Sequence, residues 1–68
     1  MPNYIVEFKI GPKLFCRSML PNSPRIGEKI RCYDSNGKEV IFQIEDIIYE
    51  FIPGEHEYIS LTAQCKLL

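Results

Sequence analysis

The residues with the most evident capacity for chemistry in this 68-residue chain are three cysteines and one histidine. Cys16, Cys32 and Cys65 are odd in number and widely spaced, and no two of them form a C-x-x-C motif. One histidine, His56, cannot complete a Cys/His zinc set of ordinary spacing. We therefore predict no metal site and interpret the cysteines as small, half-buried apolar residues. A disulfide, within one chain or between two chains, is the alternative.

Acid–base or nucleophilic catalysis would need groups that the sequence does not supply. A cysteine nucleophile requires a base and a third group that orients this base, and no such partners lie near the cysteines in the sequence. His56 falls in a turn, and Glu45, Asp46 and Glu50 are typical of a solvated strand face. The sequence also contains no nucleophile elbow, phosphate-binding loop or zinc-protease motif. We predict a protein that is not an enzyme and has no cofactor.

Length and composition restrict the fold to a single domain over residues 1–68. Apolar residues make up 46% of the chain and charged residues 25%, which is ordinary for a globular domain and argues against disorder. A core of this size rarely supplies more than ~3–5 kcal/mol of net stability. No signal-peptide pattern is visible, and no stretch approaches the ~20 apolar residues of a membrane span. We expect a cytoplasmic protein that does not associate with a membrane.

Apolar residues at alternate positions predict a strand near each end of the chain. These positions are Tyr4, Val6, Phe8 and Ile10 in the first strand, and Ile59, Leu61, Ala63, Cys65 and Leu67 in the last. Further strands are predicted over 14–20 and 29–33, on either side of a proline-containing connection at 21–24. The facing of strand 14–20 stays open, because Cys16 and Phe15 are neighbours and both apolar. Asn36-Gly37 predicts a hairpin turn with positive φ at both residues and a new strand from Lys38.

The segment from Val40 to Ile52 has two interpretations. Helical spacing is satisfied by Val40, Ile44, Ile47 and Phe51. However, nine of the thirteen residues are β-branched or aromatic, which favours a strand. The alternation of apolar residues slips by one position at Glu45-Asp46, which predicts a β-bulge that keeps Asp46 out of the core. Pro53-Gly54 then predicts a turn.

Five short strands and no helix predict an all-β domain in which a strongly bent, antiparallel sheet forms a small barrel. We expect this barrel to be closed or nearly closed, because closure removes exposed strand edges. Its interior should leave little space for a water-excluded cleft of ~300 Å³.

Turn and core segments along nearly the whole chain resemble small SH3-like β-barrel proteins of uncharacterised bacterial and bacteriophage families. The segments are Leu20-Pro21, Pro24-Arg25-Ile26-Gly27-Glu28-Lys29-Ile30, Asn36-Gly37-Lys38-Glu39-Val40, the strand with Ile44, Ile47 and Tyr49, and Ile59-Ser60-Leu61. The resemblance implies a five-stranded SH3-like barrel and an accessory protein that binds a host or partner protein. Residues 26–30 and 36–38 are also similar to a KOW motif, although Gln43 and Glu45 replace its second glycine.

Charge is distributed unevenly along the chain, since residues 1–33 carry a formal charge of +4 and residues 34–68 carry −5. Such asymmetry can steer a partner. Aromatic and arginine side chains most often anchor interfaces, so we predict binding to a protein partner, or self-association, through Arg25, Arg31, Tyr33, Tyr49, Phe51 and Tyr58. The alternative is binding of nucleic acid or a nucleotide through Arg17, Arg25, Lys29 and Arg31, with Tyr33 available for base stacking.

Overall fold

The computed structural model describes residues 3–51, Gly54 and residues 58–68, and these residues form an all-β fold. The five strands are β1 (Asn3–Ile10), β2 (Lys13–Leu20), β3 (Lys29–Tyr33), β4 (Glu39–Glu50) and β5 (Tyr58–Leu67). The predicted five-stranded, all-β architecture is confirmed, and the segment after Val40 is a strand. His56, Pro53 and the side chain of Tyr58 lie outside the described residues.

The strands form one sheet in the order β2-β1-β5-β4-β3. Three of its pairs are antiparallel, as predicted, whereas β1 and β5 are parallel, with Val6 opposite Leu61. The parallel pair departs from the predicted antiparallel barrel for a simple reason. Each connection reverses the direction of the chain, so the first and fifth strands run the same way and can only meet in parallel.

The sheet is strongly curled but does not close into a complete barrel. Every Cα–Cα distance between β2 and β3 exceeds 8 Å, whereas paired antiparallel strands approach within about 5.5 Å. The fold is therefore a half-barrel, consistent with a small SH3-like barrel whose two edge strands remain apart. We call the gap between β2 and β3 the seam. The expectation of a closed or nearly closed barrel is corrected accordingly.

The core lies on the concave face and is built from β1, β4 and β5. Its buried members among the described residues are Val6, Phe8, Phe42, Ile44, Leu61, Ala63 and Cys65. Phe42 is fully buried, and its ring centroid lies 5.9 Å from that of Phe8 and 5.5 Å from that of Phe15. This group of three rings joins β4, on one side of the central strand β5, to β1 and the edge strand β2 on the other side.

Two bulges decide which side chains reach this core. In β4 the pairing shifts between Ile44 and Asp46, so the predicted slip at Glu45-Asp46 is confirmed. Asp46 is exposed, and its carboxylate accepts a hydrogen bond of 2.9 Å from the backbone N–H of Ile47. In β2 the register shifts beside Phe15, so that Phe15 and Cys16 both pack against the core. This bulge resolves the facing that the sequence left open.

The turn between β3 and β4 differs from the predicted Asn-Gly hairpin. The N–H of Gly37 donates to the carbonyl oxygen of Asp34, so Ser35 and Asn36 occupy the centre of the turn. The Asp34 carboxylate accepts hydrogen bonds from the N–H groups of Asn36 and Lys38, both 2.9 Å long. Gly37 has a φ of 77°, and Asn36 does not have a positive φ. The side chain of Asp34 thus satisfies the local donors and stabilises a turn that requires a positive φ at Gly37 alone.

Replacing Phe42 by alanine should destabilise the fold severely. The side chain is completely buried, and truncation of such a phenylalanine costs about 3–5 kcal/mol. This loss equals the ~3–5 kcal/mol expected for a core of this size, so the variant should be largely unfolded. Urea denaturation followed by circular dichroism measures the effect. As a control, Ile48→Ala on the same strand removes an exposed side chain and should change the free energy of unfolding by less than about 0.5 kcal/mol.

Candidate functional site

A groove of about 510 Å³ lies in the seam, where the missing β2–β3 pairing leaves the concave face open. We call it the seam groove, and it is lined by Phe8, Cys16, Ser18, Leu20, Pro21, Asn22, Ser23, Pro24, Glu28, Lys29 and Ile30. Most of this lining is apolar, and it includes the core residue Phe8. The groove is open to solvent along the seam, so it is a surface groove and not the water-excluded cleft for which the sequence predicts little space. The groove exists because the sheet stops short of closure.

The connection between β2 and β3 forms one wall of the groove and is held in place by hydrogen bonds to β4. The N–H of Gly27 donates to the carbonyl oxygen of Ile44 over 2.8 Å, and the N–H of Ile44 donates to the carbonyl oxygen of Glu28 over 2.9 Å. The side-chain amide of Gln43 donates to the carbonyl oxygen of Gly27 over 3.0 Å. These contacts fix the end of the connection that leads into β3.

A second set of hydrogen bonds fixes the start of the connection. The hydroxyl groups of Ser23 and Tyr49 are 2.7 Å apart, and the Ser23 hydroxyl donates to the carbonyl oxygen of Pro24. Because a serine hydroxyl has one proton to donate, the Tyr49 hydroxyl is the donor to Ser23. Beyond this link the surface continues into a second depression, which Ser23 and Pro24 share with Arg25 and Tyr49. The connection therefore joins the seam groove to the end of β4.

Tyr49 and Phe51 form a stacked pair at that end of the molecule, which we call the aromatic pair. Their ring centroids are 6.2 Å apart and their planes differ by 15°. The bulge in β4 places Tyr49 opposite Leu61, on the same side of the sheet as the core. Within the described residues, β3 pairs with β4 only as far as Gln43, so the rings extend past the covered part of the strand. Tyr49 is 46% exposed and Phe51 is 73% exposed.

The structure brings together some of the predicted partner-binding residues and separates others. Arg25 and Tyr49 line one depression, and Phe51 stacks on Tyr49. Arg31 and Tyr33 lie on β3 and pair with the first part of β4, far along that strand from the aromatic pair. Tyr33 is exposed.

The four basic residues of the alternative site do not point into one pocket. Arg17 pairs in register with Glu7 of β1, and the Arg31 guanidinium lies 3.4 Å from the Glu39 carboxylate. The backbone N–H of Arg25 donates to the Glu28 carboxylate. Of the four, Lys29 lines the seam groove. The basic residues are thus spread along the two edges of the sheet, and several have a carboxylate beside them.

The cysteines lie where small apolar residues would lie, as interpreted from the sequence. Cys65 is buried, Cys16 and Cys32 are half-buried, and all three thiols are free. Burial, with a smaller contribution from the neighbouring Cys32, raises the pKa of the Cys16 thiol to about 11. Burial, followed by the negative charge of Glu45, raises the pKa of Cys65. Thiols with raised pKa values stay protonated at neutral pH and are poor nucleophiles and metal ligands.

Sequence reasoning missed most residues of the seam groove, including Ser18, Leu20, Pro24 and Ile30. Two features of the sequence indicate that β2 pairs on one side only. The alternation of apolar and polar residues is interrupted within β2, and two prolines follow it at 21–24. They do not reveal how far apart the two edges would stand, because that distance depends on contacts between distant strands.

The reactivity of Cys16 should follow its raised pKa. Because the thiolate is the reactive form, alkylation of Cys16 by iodoacetamide in the folded protein should keep accelerating as the pH approaches about 11. In the chain unfolded by guanidinium, the alkylation rate of Cys16 should level off once the pH exceeds the ordinary thiol pKa of about 9. Mass spectrometry of timed digests measures both rates. A folded protein in which Cys16 titrates at its ordinary pKa would contradict the burial described here.

No protein-family model, curated protein or solved structure matches this chain. In the described part of the chain, there is no helix with the length and apolar character needed to cross a membrane. The geometry of the seam groove and the aromatic pair is therefore the basis for a functional assignment.

Proposed function

We propose that this protein is a non-catalytic binding module that acts by protein–protein interaction through the seam groove and the aromatic pair. The observation that carries the proposal is a continuous surface on one side of the half-barrel. It begins in the apolar groove between two strand edges, crosses the Pro21–Pro24 connection and ends on two exposed, stacked rings. Exposed apolar patches with polar residues at their rims are typical of interaction sites, and here a mostly polar depression joins the apolar groove to the rings.

The side chains on this surface are suited to anchoring a protein. Tyrosine, phenylalanine and arginine are enriched at protein interfaces, and tyrosine and arginine are prominent among residues whose truncation costs the most affinity. Arg25, Tyr49 and Phe51 lie close together here. The hydrogen bond between Tyr49 and Ser23 holds one ring in place before binding, which lowers the entropy lost when a partner docks.

Binding of nucleic acid or a nucleotide has weaker support than protein binding. Such binding requires several cations that face one strand of phosphates. Arg17 and Arg31 each lie beside a carboxylate, on opposite edge strands of the sheet. Tyr33, the residue available for base stacking, lies on β3, away from the exposed rings of β4.

A catalytic role also has little support in the surface itself. Cys16, the thiol that lines the seam groove, has a pKa of about 11 and is protonated at neutral pH. The groove is open along the seam, so it does not exclude water from bound molecules. The resemblance to small SH3-like barrels of bacteria and bacteriophages extends the proposal to an accessory protein of the cytoplasm that binds a host or partner protein.

Substitution of Phe51 by serine should weaken the interaction with the partner by about tenfold or more, as expected for an exposed aromatic anchor. Partners are first identified by quantitative capture from a bacterial lysate, and the affinity of a purified partner is then measured by isothermal titration calorimetry. Ile48→Ser is the matched control, because Ile48 is similarly exposed on β4 but lies opposite Thr62 and not opposite the core residues.

Equal binding by the wild type and both variants would contradict a role for the aromatic pair. Loss of binding in Ile48→Ser alone would move the interface to the convex face. Salt-dependent binding of labelled single-stranded DNA or RNA, measured by fluorescence anisotropy, would favour the nucleic-acid alternative.

A further inference from the structure

The two edge strands of the half-barrel leave backbone groups available at the seam. Among the described residues, β2 pairs with β1 alone and β3 pairs with β4 alone. The backbone hydrogen bonds outside the regular strand pairs do not bridge β2 and β3. A free strand edge is a template for an additional strand, and extended peptides bind other domains in this way.

The side chains beside these edges alternate in character. On the concave side, Leu20 and Ile30 line the seam groove above the core residue Phe8. Three of the four intervening positions carry cations, since Arg17 lies between Cys16 and Ser18, and Lys29 and Arg31 flank Ile30. The fourth, between Ser18 and Leu20, is the exposed Met19. A strand added at the seam would have its side chains point alternately into the groove and toward these cations.

The edge strands carry charge of one sign. Lys13 and Arg17 lie on β2, Lys29 and Arg31 lie on β3, and neither strand contains an aspartate or glutamate. Three carboxylates lie nearby: Glu28 lines the groove and accepts a hydrogen bond from the backbone N–H of Arg25, Glu7 pairs with Arg17, and Glu39 lies 3.4 Å from Arg31. The four cations of the edge strands therefore exceed the neighbouring carboxylates by one charge. Edge-to-edge pairing of two copies through these strands would place like charges together, which is unfavourable across a strand pair. Charge complementarity therefore selects an acidic partner in preference to the same edges of a second copy.

We propose that the seam groove binds an extended acidic segment of a partner protein, which adds as a strand to the free edge of β2. Apolar side chains at alternate positions of this segment contact Phe8, Leu20 and Ile30, and the acidic side chains between them face Arg17 and Lys29. β2 is the chosen edge because it has eight residues against the five of β3 and contributes Cys16, Ser18 and Leu20 to the groove. This inference rests on the proposed function and specifies the chemistry of the partner.

The test uses synthetic peptides of eight residues, the length of β2. The probe alternates glutamate and valine and carries blocked ends and a fluorescent label. One control replaces every glutamate by lysine, and another keeps the composition but separates the residues into a glutamate block and a valine block. By fluorescence anisotropy, the alternating acidic peptide should bind at least about tenfold more tightly than either control. Two further peptides carry N-methyl groups on alternate backbone nitrogens, one at the odd and one at the even positions. Only one of the two should lose binding, because alternate N–H groups of a strand point toward the same edge and one edge of the peptide faces β2.

Cys16 provides an internal measure of where the peptide binds, since it lines the seam groove. The alternating acidic peptide should slow alkylation of Cys16 several-fold at saturation. Arg17→Glu and Lys29→Glu should each weaken binding by about tenfold, whereas Lys66→Glu makes the same change of charge on β5 and should leave it unchanged. Circular dichroism confirms that each variant is folded.

Equal affinity for the three peptides, or unchanged alkylation of Cys16 at saturation, would overturn strand addition. A concentration-dependent dimer that the peptide dissociates, seen by light scattering, would assign the seam to a second copy and would also overturn it. The two proposals remain distinguishable. If a natural partner requires Phe51 but tolerates Arg17→Glu and Lys29→Glu, protein binding stands and strand addition fails; if it tolerates all three substitutions, both proposals fail.

Discussion

The packing of three phenylalanine rings against the concave face is the interaction on which the rest of this structure depends. A single sheet of five strands has no second layer to cover its apolar side, so it buries that side by curling on itself. Phe42 lies at the centre of the curl, with Phe8 and Phe15 around it. All the fully covered core residues in the described part of the chain belong to β1, β4 and β5. The edge strands contribute half-buried residues, and this unequal distribution explains why the gap at the edges can persist.

Much of this fold could be predicted from local sequence, because local sequence controls alternation and turn formation. The bulge at Glu45-Asp46 was visible as a slip in the spacing of apolar residues, and the structure has it at that place. The bulge beside Phe15 could not be located in advance. A bulge is visible in sequence as a shift in the alternation of apolar and polar residues, and Phe15 and its neighbour Cys16 are both apolar. The turn at Asp34 differed because a side chain, rather than the Asn-Gly pair, satisfies its backbone donors.

The candidate site was harder to predict because it depends on distances between strands that are remote in sequence. The structure brings together Arg25, Tyr49 and Phe51, three of the residues predicted to bind a partner, and their role in binding stays a prediction. Arg31 and Tyr33 lie elsewhere because β3 pairs with the first part of β4, whereas the exposed rings follow its bulge. The separation of β2 and β3 follows from the lengths of five strands and from the direction in which β1 meets β5. These strand lengths and this pairing direction cannot be predicted from a short sequence motif.

The wide spacing of the edge strands has a consequence for the oxidation state of the protein. A disulfide joins residues whose Cα atoms are about 4.4–6.8 Å apart. Every Cα atom of β2, however, lies more than 8 Å from every Cα atom of β3. Cys16 and Cys32 stand on these two strands, so a covalent link between them would require the strands to move together. Oxidation of the Cys16–Cys32 pair would therefore narrow the seam, and the half-barrel described here, with free thiols, is the reduced form of the chain.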